Sequence, residues 1–150
     1  MKVTKTLFVV LAFSVLGSIV TSYAQKTQEI TLNVDTKNPN PVTTSYFTTD
    51  PNTSVLDNSS PEAFTILANV GDNILWRGTS STDPNAAVKI KLIKYSRGPR
   101  IFSRNDIPGE GTVQATIIRG GQDTYKYEIH FTIGGPGPVY KIDPKIKVGE

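Results

Sequence analysis

Polar and apolar side chains alternate without a break from Asp123 to Ile133. Tyr125, Tyr127, Ile129, Phe131 and Ile133 fall on one side of this run, and Thr124, Lys126, Glu128, His130 and Thr132 on the other. A side-chain period of two predicts a strand with its apolar side inward and its polar side to water. The run is also the most aromatic and β-branched in the chain, which suits a pleated, half-buried surface. Gly121 to Ile133 therefore predicts a central strand of an all-β domain.

The same pattern recurs on both sides of it. Gln28 to Val34 alternates Ile30, Leu32 and Val34 with polar residues and predicts a first strand. Further strands are expected at Ala63 to Val70, Asn73 to Arg77, Ala87 to Tyr95, Arg100 to Ser103 and Gly111 to Arg119, with Lys141 to Val148 closing the chain. Gly71-Asp72, Asp83-Pro84-Asn85, Gly98-Pro99, Pro108-Gly109, Gly120-Gly121 and Gly134 to Pro138 supply the breaks. About eight short strands punctuated by Gly and Pro predict a Greek-key β-sandwich. Residues 38–61 are different, being rich in Asn, Pro, Thr and Ser with Asn-Pro, Asp-Pro and Ser-Pro turn signals. They predict a long loop, a tether or a functional segment, holding one short edge strand at Thr44 to Thr48.

The N-terminus follows another logic. Lys2 and Lys5 precede an apolar stretch from Leu7 to Val20, and Ser22-Tyr23-Ala24 places small residues around a cleavage point. That order predicts a secretory signal peptide over residues 1–24, cut after Ala24. Ser14, Gly17 and Ser18 interrupt the apolar stretch, which is shorter than a membrane-spanning helix needs. The mature chain, residues 25–150, is then a single exported domain, periplasmic or extracellular. Its charge also changes: the whole chain has 16 basic and 13 acidic residues, and losing Lys2 and Lys5 leaves 14 against 13, a net +1. So small an excess argues against nucleic acid or an anionic membrane as a whole-molecule partner. There is no cysteine. Packing and strand pairing must hold the fold, and no lipid thioether anchor remains after cleavage.

The run Phe64-Thr65-Ile66, then Val70-Gly71-Asp72-Asn73-Ile74-Leu75-Trp76-Arg77-Gly78, resembles the second and third strands of cupredoxins. Tyr125-Lys126-Tyr127 is similar to that family's aromatic strand before its metal-binding loop. The spacing Asp123-x-Tyr125-x-Tyr127-x-Ile129 also resembles the tyrosine-corner strand of immunoglobulin-like domains with the cysteine replaced, Trp76 then standing as the core tryptophan. Both resemblances imply a Greek-key sandwich. A blue-copper site needs two His and a Cys thiolate, with a weak axial ligand such as Met. Here Ile129 stands where the resemblance would place the Cys, Thr79 to Ala86 contains no His, the one His is His130 and the one Met is Met1. The resemblance therefore implies a copper-less member, with no cofactor and no electron transfer.

Little else in the chain carries chemistry. His130 is a conceivable general base with Glu128 and a loop carboxylate, which would make a small hydrolase; alternation instead puts it on a solvated strand face. There is no Gly-x-Ser-x-Gly, no phosphate-cradling loop and no metal-spaced His pair. Asp50-Pro51-Asn52, Asp83-Pro84-Asn85 and Asn105-Asp106 offer loop oxygens without the spacing of a calcium loop. Asn52-Thr53-Ser54 and Asn58-Ser59-Ser60 match the glycosylation sequon. One charge feature is uneven: Lys89, Lys91, Lys94, Arg97, Arg100 and Arg104 follow one another with no acid between Asp83 and Asp106. Lysines at 89 and 91, alternating with Val88, Ile90 and Leu92, either blunt a sheet edge or present an anionic-ligand surface. Lys89, Lys91, Arg97, Arg100 and Arg104, with the loop aromatics Tyr46, Phe47 and Tyr140, are thus the candidate ligand-binding residues. The expected function is a secreted, non-enzymatic binding or structural module for an unidentified protein or glycan, the alternative being a carbohydrate- or polyanion-binding domain.

Overall fold

The computed structural model describes residues 24–149, and they contain strands and turns with no helix. The signal-peptide residues before Ala24 lie outside the described part. The strands are β1 (Thr27–Val34), β2 (Tyr46–Thr49), β3 (Ser54–Asp57), β4 (Thr65–Ala68), β5 (Asn73–Ser80), β6 (Val88–Arg97), β7 (Asp106–Gly111), β8 (Val113–Thr116), β9 (Tyr125–Ile133), β10 (Tyr140–Ile142) and β11 (Lys145–Val148). One sheet runs β2-β1-β5-β8 and the other β3-β4-β11-β9-β6-β7, with β10 also paired to β9. Both sheets are mixed, because β1 runs parallel to β5 and β4 parallel to β11.

β9 lies inside the larger sheet, as its pattern predicts. Tyr125, Tyr127, Ile129 and Phe131 are buried, while Lys126 is exposed and Glu128, His130 and Thr132 are half-buried. Its inner face meets that of the smaller sheet. Trp76 of β5 donates its indole N–H to the Tyr127 hydroxyl at 3.1 Å, with the two rings edge-on at 5.7 Å. Ile30, Leu32 and Val34 of β1 and Ile74 of β5 complete that side of the core. At the start of β5 the buried Asp72 carboxylate accepts Gln28 Nε2–H at 2.7 Å and the Asn69 amide at 2.9 Å.

The structure differs from the sequence reading at several places. Eleven strands replace about eight. Residues 38–61 hold β3 as well as β2, and Arg100 to Ser103 is not a strand. Its Ile101 and Phe102 are buried all the same, Phe102 standing edge-on to Trp76 and Tyr125. That segment adds side chains to the core without adding a strand to either sheet. β7, which the Pro108-Gly109 turn signal hid, is the outermost strand beside β6. Proline is tolerated there because the outer side of an edge strand needs no N–H donor. β6 is therefore not an edge, and its lysines do not blunt one. A bulge at Lys91 also shifts the alternation, so that Ile93 is buried and Leu92 turns outward opposite His130. The closing strand breaks at Asp143-Pro144 into β10 and β11, both lying against β9.

Candidate functional site

The outer face of β9 gathers the chain's one histidine with its charged neighbours. Residues two apart share a strand face, and His130 Nε2 lies 2.6 Å from Glu128 Oε2. An ionised carboxylate only accepts, so His130 donates. That hydrogen bond, helped by the nearby charges of Lys141 and Lys94, holds the Glu128 carboxyl below its ordinary range. Lys94 faces Glu128 from β6, and Lys141 faces His130 from β10. Asp143 shifts the other way, raised first by burial and then by Glu128 and Glu62. The imidazole is thus bound to a carboxylate on a sheet face. It lines none of the three clefts described below, where a substrate would be held against it.

Those clefts separate the basic residues from one another. Lys89 and Lys91 line one of about 400 Å³ with Thr132 and the Gly134–Gly137 turn. Lys91 already donates to Glu110 at 2.9 Å. Arg97 lines a second, of about 300 Å³, with Gly98, Asp123, Thr124 and Lys126. Arg104 lines a third, of about 330 Å³, between β7 and β8. Arg100 lies over the Tyr95 ring at 5.6 Å and lines none of them. Along β6 alone, Lys89 and Arg97 are roughly 25 Å apart at the usual rise per strand residue. The five side chains do not converge.

The loop aromatics also divide. Tyr46 is 49% exposed. Phe47 is buried and stacks on Phe64 with ring centroids 4.4 Å apart, so it is a core residue and not a surface contact. The cause is the pleat: neighbours on β2 point to opposite faces, and Phe47 pairs with the inward Leu32. Tyr140 is partly covered against Phe131. Sequence reasoning missed Leu56 and Val55 of β3, which are exposed, and Ile118 beyond β8, which lies at the third cleft. Alternation gives no signal for these, because each lies in or beside a strand of four residues.

No family model matches this chain, and no curated protein matches it. Among solved structures it is similar to the crystal structure of an inclusion body protein, PixA, from Burkholderia cenocepacia J2315. The two are 15% identical, the match covers 87% of this chain and 100% of that one, and the TM-score is 0.62. At that identity the likeness is one of fold alone.

Proposed function

We propose that the mature chain is an exported, non-enzymatic β-sandwich acting through its surface as a binding or structural module, cupredoxin-like with Greek-key connections and without copper or electron transfer. The observation that carries this is the closed His130–Glu128 pair on an outer sheet face, outside the three clefts described. A general base needs a held substrate within hydrogen-bond reach, and the His130 side chain, only 13% exposed, is already committed to Glu128.

The parallel pairs β1–β5 and β4–β11 favour a cupredoxin-like over an immunoglobulin-like arrangement, whose two sheets are antiparallel. The Tyr127 hydroxyl is engaged by Trp76, whereas a tyrosine corner bonds to backbone upstream. Ile129, where the resemblance would place the copper thiolate, is buried in the core.

Turnover tests the non-enzymatic reading. Ester, phosphoester and glycoside substrates should show no hydrolysis that distinguishes the protein from its His130→Ala and Glu128→Gln variants. A rate abolished in either variant while the fold persists would make it a hydrolase. Export is tested by sequencing the N-terminus of the protein recovered outside the cytoplasm, which should begin at Gln25. Retention of Met1 in a membrane fraction would contradict it.

A further inference from the structure

The sandwich has two open flanks, and they are unlike. On one, β2 and β3 are the outermost strands of the two sheets; on the other, β8 and β7 are. Each outermost strand leaves one side of its backbone unpaired.

On the first flank every residue of β3 is exposed, with Val55 at 40% and Leu56 at 56%, and Tyr46 of β2 adds to the apolar surface. The segment there has no basic residue of its own between Lys37 and Arg77 and carries Asp50, Asp57 and Glu62, while Lys26 and Lys145 reach in from elsewhere in the chain to the Asn52 and Glu62 carbonyls. Asp50 is occupied by its own turn, accepting from Thr53 and from the Glu29 and Asn52 amides. Asp57 lies at the end of β3, where the Ser59 amide and hydroxyl hold its carboxyl ionised. Lys145 of β11, on the far side of β4, also favours the ionised form through its charge.

The second flank follows the stretch without acids. Its cleft runs along Gln114, Ala115 and Thr116 of β8, with Ile107, Pro108 and Ile118 for walls and Arg104 at the rim. Arg104 forms no ion pair among the described residues, whereas Glu110 on the same flank is neutralised by Lys91. An unpaired strand edge, apolar walls and a free guanidinium suit an extended segment with apolar residues followed by a carboxylate. Ser54-Val55-Leu56-Asp57 is such a segment.

We propose that the cleft beside β8 receives the exposed β3 edge of a second copy of this chain, so that copies associate head to tail. The donor and acceptor patches lie on opposite flanks, which makes the contact heterologous and open to repetition. β3 has four residues and a bulge between Val55 and Asp57, so each contact is short and the association weak. The inference deepens the structural-module reading and rests on it for purpose. Its residues are not those of the turnover test, so the two fail separately.

Sedimentation velocity of residues 25–150 over a wide concentration range tests it. The protein should show reversible association that weakens as salt rises. Leu56→Lys and Arg104→Glu should each weaken it at least tenfold, and unchanged melting temperatures would show that both variants fold. Mixed together, they should form a one-to-one dimer and stop, because one supplies an intact cleft and the other an intact β3. A strictly monomeric protein, association indifferent to both substitutions, or two defective variants that fail to complement each other would each overturn the proposal.

Discussion

Tyr127 shows how much one side chain can hold in this fold. Its ring is packed between the sheets, and its hydroxyl is the partner of the Trp76 indole. Tyr127→Phe keeps the volume and leaves a buried N–H unpaired, at a cost of about 1–3 kcal/mol. Burial also pushes the phenols of Tyr125 and Tyr127 above their ordinary value. In the unfolded chain both release protons near pH 10, so above that pH the native state binds more protons and stability falls as pH rises. Each phenol contributes about 1.4 kcal/mol per pH unit to that decline, up to its own folded value. Denaturant titrations at a series of alkaline pH values should therefore show a steep loss, and Tyr127→Phe should remove about half of its slope. A slope unchanged by that substitution would mean the phenol titrates freely in the folded protein.

Among the elements, β9 has inner residues in the core and an outer face on which Lys126 is exposed and Glu128, His130 and Thr132 are half-buried. Tyr127→Ala should cost about 3–5 kcal/mol, as large aromatic truncations in cores do. Lys126→Ala should stay within about 0.5 kcal/mol. Equal losses in urea titrations would mean that both faces are covered. β9, β1 and β5 are legible in the sequence because each is long and its alternation is unbroken where it packs. What stays hidden has physical causes. The bulge at Lys91 inserts a residue into the count and turns Leu92 outward, and no periodicity announces an insertion. Pro108 and Gly109 signal a turn, yet they sit in β7, where an edge tolerates them. Ile101 and Phe102 look like strand residues because they are apolar and follow the Gly98-Pro99 turn, but the burial they achieve does not require a ladder.

For the whole molecule, the candidate site is legible in composition and not in geometry. A single histidine and the lack of any cysteine limit the available chemistry by themselves. The basic stretch reads as one feature because its residues are near in sequence. A ten-residue strand and the turns after it spread them out, with Lys89 and Lys91 at one cleft, Arg97 and Arg104 at two others, and Arg100 over the Tyr95 ring. That the basic residues stay apart and form no polyanion-binding site is tested most directly by heparin chromatography of the mature protein. Polyanion affinity depends on several cations acting together within a screening length of about 8 Å at physiological ionic strength. Elution in the low-salt wash is expected, unchanged when Lys89, Lys91 and Arg100 are replaced by Ser. Retention beyond physiological ionic strength that disappears with those three substitutions would contradict it and make the protein a polyanion-binding domain.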